Sequence, residues 1–361
     1  MEPAYSEAND FVLRFKNATA SAGVDILACT VYGLSPYHHA NLDKLYGPPA
    51  IAFTGYQFLA CAAGAYVLAL IAFFLTRHDA RASKSLRFFR VLARWAKAPA
   101  ELLRSGLSPD DRLAVLSTLL KSFFGPMMAL FLMAHCMGAL SNGQAILELG
   151  ITQDSVRSLF DRFGYWFLMQ IILFVDVLLF TIGYLVESPR LGNEIRSVDP
   201  TLLGWAAALL CYPPFNSLIT SRVLGAPVSD FPQFDDPTMH LALNLLLLAL
   251  LAGYASASVA LGLKASNLTH RGIVARGPYA LIRHPAYVCK NMAWWIGSVP
   301  LVTAEFAKSP VKGLLVLASV LAWTMLYMLR ALTEEDHLRK VDGDYAAYAA
   351  KVRYRFIPGL I

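Results

Sequence analysis

Hydrophobic positions along this chain fall into long runs separated by short polar stretches. Seven runs, near residues 51 to 75, 113 to 140, 164 to 186, 202 to 221, 239 to 263, 286 to 303 and 310 to 331, approach or exceed the length that crosses a bilayer, which takes roughly 20 residues. The pattern predicts about seven transmembrane helices and an all-α integral membrane protein. The fourth run is the weakest, because Pro213 and Pro214 remove backbone donors and free carbonyls that neighbouring helices or water must satisfy. Between the first two runs, "RASKSLRFFRVLARWAKAPAELLRSG" interleaves Lys84, Arg87, Arg90, Arg94 and Lys97 with Leu86, Phe89, Leu92 and Trp95. That alternation suits a helix lying in the headgroup layer, and a solvated juxtamembrane arm is the plainer alternative.

Charge then orients the runs. Lysines and arginines number twenty in segments 76–112, 187–201, 264–285 and after 331, against seven in 1–50, 141–163, 222–238 and 304–309. By the positive-inside rule the N-terminus is expected outside and the C-terminus in the cytoplasm. Composition agrees with a membrane chain: 57% of the 361 residues are hydrophobic, 16% are charged and the mean hydropathy is +0.49. The net charge of +6 belongs to the cytoplasmic loops and gives no reason to invoke nucleic acid. Five scattered cysteines show neither a disulfide framework nor metal-type spacing, and adjacent His38 and His39 are too little to predict a metal. The opening "MEPAYSEANDF" has acids where a cleavable signal needs a basic region, so the first span is expected to direct insertion. Three regions follow: an extracytoplasmic segment 1–50, membrane helices 51–263 carrying the basic interfacial segment 76–112, and a C-terminal region 264–361.

Lys121, Asp176 and Lys290 lie within apolar runs, where ionisable groups are costly and should face protein or a water-filled cavity. Lys121 can snorkel and Asp176 can pair with another helix. Lys290 follows "GPYALIRHPAY", residues 277 to 287. There His284 is pushed out of the helical region by Pro285, which suits a first helical position. A span starting at Pro285 turns the free N–H groups of Ala286, Tyr287 and Val288 toward the loop. With Arg283 and His284 beside them, these donors favour an anionic ligand. Gly277 and Pro278 read as a tight turn. The plainer reading has Arg283 snorkelling to phosphates and His284 capping the loop.

Just after the last run, "LTEEDHL" sets Glu334 and Glu335 at a boundary where basic residues are favoured. They suit a cation; alternatively Thr333 and Asp336 form a capping pair on a solvated helix start. In the tail "GDYAAYAAKVRYRFIPGLI", Tyr345, Tyr348 and Val352 share one face of a short helix that is expected to pack back on the loop.

Taken together, "GPYALIRHPAY", "EEDHL" and "GDYAAYAAKVRYRFIPG" resemble the C-terminal signature of the isoprenylcysteine carboxyl methyltransferase family, to which the phospholipid N-methyltransferases are related. The resemblance covers roughly residues 265 to 361. It implies S-adenosylmethionine as methyl donor, held at the cytoplasmic ends of the last helices in a pocket formed by a helical hairpin and the tail. Gly277, Tyr279, Arg283, His284, Pro285 and Tyr287 match the loop and helix mouth that hold the cofactor. Glu334 and Glu335 match the acidic pair that meets its amino-acid end or ribose, and Tyr345 and Tyr348 match the closing tail. Cys289 stands where the family usually has glycine, and the first 200 residues have no counterpart, so the substrate is not carried over.

Methyl transfer from a sulfonium needs in-line positioning and exclusion of water, and no metal. For a carboxylate acceptor Arg283 is the candidate orienting group; for an amine acceptor, Glu334 or Glu335 is the candidate base. Lys290 is a further candidate, holding an anionic headgroup or acceptor carboxylate. The expected activity is thus methylation of a membrane-embedded lipid or lipidated acceptor at the cytoplasmic face. Two alternatives stay open. Sterol reductases resemble the family and share an ending close to "VRYRFIPG", but use a nicotinamide cofactor, whose phosphates the adjacent carboxylates would repel. A lipid transporter or scaffold would also tolerate broken helices and buried charges.

Overall fold

The computed structural model describes residues 2–76, 81–150, 156–225 and 227–359. Residues 77–80 of the basic segment and 151–155 of the 141–163 loop lie outside the described residues. The chain divides into two units, residues 1–137 and 138–361.

In the first unit, helix α1 (Glu2–Leu34) runs antiparallel to α2 (Gly55–Thr76). Tyr56 donates to the Gly33 carbonyl at one end, and Arg14 donates to the Leu75 carbonyl at the other. A two-stranded hairpin, β1 (Leu45–Tyr46) with β2 (Phe53–Thr54), joins the two helices. The segment 1–50, expected as an extracytoplasmic cap, is therefore mostly one helix lying along the first apolar run. His38 is stacked on Tyr32, with ring centroids 3.7 Å apart, while His39 is exposed. The basic stretch forms α3 (Lys84–Lys97), capped by Ser83, whose hydroxyl accepts from the Leu86 amide. Arg87 and Arg94 pair with Asp110 and Asp111, and Leu92 and Trp95 stay exposed. An apolar edge with basic neighbours fits an interfacial helix.

Helix α4 (Pro109–Gly150) continues into the second unit. There α5 (Tyr165–Leu185), α7 (Pro237–Leu261), α8 (Pro285–Lys308) and α9 (Pro310–Val341) pack in chain order, α5 on α7, α7 on α8 and α8 on α9. Tyr165 and Met169 of α5, Leu247 and Leu248 of α7 and Ala293 of α8 form one buried cluster. Strand β3 (Ser197–Val198) pairs antiparallel with β4 (Thr269–His270), tying the segment after α5 to the loop after α7.

Among the described residues, five helices are long and apolar enough to cross a membrane: Gly55–Thr76, Pro109–Leu149, Val156–Leu185, Pro237–Lys264 and Pro310–Val341. This is a multi-pass helical chain with two fewer such helices than the apolar runs suggest. The run 202–221 breaks up: α6 (Leu202–Leu209) is only 8 residues long and stops short of the two prolines. The Leu210 carbonyl is satisfied locally by the Thr220 hydroxyl at 2.7 Å, and the Gly225 carbonyl by the indole of Trp323 on α9 at 2.9 Å. The run 286–303 does form a continuous helix, α8, of 24 residues. At 1.5 Å per residue that is about 36 Å, but Lys290, Asn291 and Glu305 keep it out of the apolar set. Helix α9 runs unbroken through "LTEEDHL", and the Thr333 hydroxyl donates to the Arg330 carbonyl. No new helix starts there, so the expected Thr333–Asp336 cap is absent.

Candidate functional site

The loop before α8 is shaped by backbone chemistry. Gly277 has φ +58°, the left-handed region that glycine tolerates, and a side chain there would meet the Ala260 Cβ at 3.2 Å. This explains the glycine without a ligand. His284 is non-helical at φ −126° and ψ 58°, and Pro285 opens α8, as the prolyl restriction predicts. Of the three amides expected to be free, that of Val288 already bonds to the His284 carbonyl at 3.2 Å. Those of Ala286 and Tyr287 open the helix without a backbone acceptor among the described residues.

The tail returns to this loop. The amides of Arg283 and His284 each donate at 3.0 Å, to the carbonyls of Tyr354 and Arg355. Helix α10 (Asp344–Lys351) buries Tyr345 and is followed by buried Val352, while the Tyr348 hydroxyl donates to the Tyr279 carbonyl at 2.9 Å. Burial pushes the Tyr345 phenol up to about 12, and those of Tyr279 and Tyr348 rise for the same reason.

Adjacent Glu334 and Glu335 have different surroundings. Glu335 is 2% exposed, and its Oε2 accepts from Arg283 at 2.9 Å, Arg339 at 3.1 Å and Arg355 at 3.1 Å, while Oε1 lies 3.2 Å from His284 Nε2. This carboxylate clamps loop, helix and tail together and has little capacity left for a ligand. His284 is further fixed by stacking on Tyr287, with centroids 5.6 Å apart and 4° between planes. Glu334 is only half-buried; it accepts from the Tyr287 hydroxyl and lies 3.5 Å from Arg330 Nε.

Between these elements lies a cavity of about 190 Å³. It gathers Tyr279, Arg283, His284, Tyr287, Lys290, Glu334, Tyr345 and Tyr348 from the predicted set. Gly277, Pro285 and Glu335 are not among its lining residues; the first two shape the loop and the third clamps it.

Several lining groups escaped the sequence reading. Arg330 is buried on α9, its guanidinium over the rings of Tyr212, Tyr287 and Tyr327 at 5.1 to 5.9 Å, and it donates to the Asn267 side chain. A signal was present, because Arg330 is a charge inside the last apolar run, four residues before Glu334 and so on the same helix face. Arg271 spends its guanidinium on structure, donating to the carbonyls of Asn193 at 2.6 Å and Gly183 at 2.7 Å. His270 Nε2 lies 2.7 Å from an Asp342 oxygen, yet burial holds the imidazole below its ordinary value. Asp176, expected to pair across helices, accepts from Ser258 of α7.

The model of a family described as a protein of unknown function, DUF1295, matches residues 227–352. The matched segment holds α7, α8, α9, α10 and the loop between α7 and α8, and hence most of the cavity wall. No curated protein and no solved structure matches the chain.

Proposed function

We propose that the chain is a membrane methyltransferase that uses S-adenosylmethionine and acts on a lipid or lipidated acceptor at the cytoplasmic face. The observation that carries this reading is the convergence of three sequence-distant motifs on one cavity: the loop and mouth of α8, Glu334 on α9, and the tyrosines of α10. These are the segments that resemble the isoprenylcysteine carboxyl methyltransferase family.

The residues present fit such a cofactor. Glu334 is the half-buried carboxylate of the cavity that suits an ammonium or a ribose, tyrosine rings offer faces to a sulfonium, and the Ala286 and Tyr287 amides suit a carboxylate. When bound, S-adenosylmethionine supplies an activated methyl group that needs no metal. The protein's task is then positioning and dryness. Tyr348, bonded to the Tyr279 carbonyl, holds the tail over the loop and limits water entry. Arg283 acts through Glu335 rather than on a substrate, since its Nη atoms are engaged by Glu335 and the Arg353 carbonyl. An acyl or prenyl chain is expected to enter sideways from the bilayer, because exposing it to water costs about 0.8 kcal/mol per CH₂.

A second reading, a nicotinamide-dependent reductase, is favoured by one specific observation. Glu335 is taken up by Arg283, Arg339, Arg355 and His284, and Glu334 accepts from Tyr287 beside Arg330, so neither member of the pair stands as a bare charge against the cavity's basic Lys264, Lys290 and Arg330. The repulsion expected between an acidic pair and phosphates is correspondingly smaller. Calorimetric titration of the detergent-purified protein with S-adenosylhomocysteine and, separately, with NADPH separates the two. Binding of S-adenosylhomocysteine alone, weakened about tenfold in Glu334→Gln through loss of a charge-assisted hydrogen bond, is the expected result. Binding of NADPH alone would overturn the methyltransferase reading.

A further inference from the structure

Lys290 sits on the face of α8 that also carries Tyr287 and Trp294, at spacings of three and four residues. Its ammonium lies over three rings, 5.6 Å from the centroid of Tyr254 on α7, 5.3 Å from Trp294 one turn further along α8, and 5.4 Å from Tyr327 on α9. A lysine reaching for the interface would turn back toward His284 and the loop. This one stays beside the deeper Trp294 instead. Three helices therefore fix its position, each by an aromatic face.

Aromatic faces stabilise the charge but accept no conventional hydrogen bonds, and an ammonium has three N–H donors. Among the described residues, no oxygen accepts from Lys290 and no carboxylate lies within ion-pair distance of it. Two acids, Asp176 and Asp230, are near enough to feel its charge, and Asp176 is also engaged by Ser258. Lys290 lines the same cavity as Glu334 and Arg330, so its donors open onto a ligand space rather than sealed protein. Rings from Tyr254, Trp294 and Tyr327 leave an apolar rim around the charge, which suits a small anionic group carried on a hydrocarbon chain.

We infer that Lys290, framed by Tyr254, Trp294 and Tyr327, is an anion-binding residue of the cavity, and that its ligand is an amphiphile bearing a carboxylate or a phosphate. The inference deepens the proposed function and rests on the cavity being a ligand site, but not on which cofactor fills it. The anion docks at Lys290, on α8 about a turn and a half beyond the helix mouth, and thereby selects against neutral chains of the same length.

The test is calorimetric titration of the full-length protein in a non-ionic maltoside detergent with dodecanoate, dodecyl phosphate and dodecanol. Wild type is expected to bind at least one anion about tenfold or more tightly than dodecanol, the effect of one charge-assisted contact. The tighter of the two identifies the group as carboxylate or phosphate. Lys290→Met should lose the preference, while Lys290→Arg should keep part of it and serves if the methionine variant fails to fold. No preference in wild type, or a preference undiminished in folded Lys290→Met, would overturn the proposal. S-adenosylhomocysteine binding in the same proteins separates the two readings: an anion preference without cofactor binding would sink the methyltransferase and leave the Lys290 site standing.

Discussion

Glu334 and Glu335 differ by one position and by the whole of their environment. Glu335 is buried among Arg283, His284, Arg339 and Arg355, so neutralising it strands several cations. Breaking a buried ion pair costs about 3–5 kcal/mol, and Glu335→Gln is expected to lower unfolding stability on that order and to release the tail to protease. Glu334→Gln keeps an acceptor for the Tyr287 hydroxyl and leaves Arg330 its ring faces and Asn267, so it should cost clearly less stability than Glu335→Gln, while weakening cofactor binding. Denaturant unfolding of the two variants side by side checks the division; equal losses would refute it. A second residue-scale expectation concerns pH. Burial lowers the His270 imidazole below its ordinary value, so the unfolded chain binds more protons than the native one in that window. The contribution is present above about 6.5, the unperturbed value, and is lost as pH falls through it toward the lowered native one. Melting curves between pH 7.5 and 5 (roughly one unit either side) should show His270→Gln losing less stability on acidification than wild type, and identical pH slopes would count against it. The acidic pair and the loop cations were legible in the sequence as types, whereas their partition into clamp and cavity was not. That partition depends on where the tail places Arg355, which no local spacing encodes.

At the scale of elements, the start of α8 at Pro285, the amphipathic tail helix and the helical form of α3 followed from local rules: a residue held out of the helix before proline, apolar spacing of three and four, and charge interleaved with aromatics. What escaped was the fate of the weakest run, because an apolar stretch of spanning length conceals where its backbone bonds end; α6 stops at Leu209 and the Leu210 carbonyl just beyond it turns to Thr220. Arg330 escaped for a related reason, lying inside a run read only as membrane-spanning while its charge is taken up by Tyr212, Tyr287 and Tyr327. Cys289 shows a local departure compensated by a partner element. A side chain at Gly253 on α7 would come within 2.9 Å of the Cys289 sulfur, so glycine on one helix accommodates the larger residue on the other. Gly253→Ala is expected to destabilise by about 1–3 kcal/mol through overpacking, and Cys289→Gly should restore much of that loss. A double-mutant cycle on unfolding free energies reads the coupling directly, and simple additivity would exclude this packing account.

At the scale of the whole chain, the charge count and the first helix lead to different topologies. By the positive-inside rule, twenty basic residues against seven would set segment 76–112 and the C-terminal loops on the cytoplasmic side, and taking residues 1–50 as one outer segment would put the N-terminus outside. Helix α1, however, runs back along α2: Gly33 is beside Tyr56, Arg14 reaches Leu75, and the Asn17 side chain donates to the Arg81 carbonyl and accepts from the Ser83 amide, both at 2.8 Å. The Asp10–Arg14 end of α1 therefore lies at the same end of its unit as the basic α3. If that end is cytoplasmic, as the positive-inside rule expects of the basic α3, α1 would cross beside α2 despite not being among the five helices apolar enough to do so alone, and Arg14 and Lys16 would join the cytoplasmic count instead of opposing it. The hairpin β1–β2 then turns on the outer side. This topology predicts that a cysteine at position 12 is shielded from a membrane-impermeant maleimide in intact cells and labelled only after permeabilisation, while one at Leu45, which is exposed in the hairpin, is labelled from outside. A cysteine at Leu103, also exposed, serves as the cytoplasmic control. Labelling of position 12 in intact cells would return the N-terminus to the outer side and require α1 to lie against α2 without crossing.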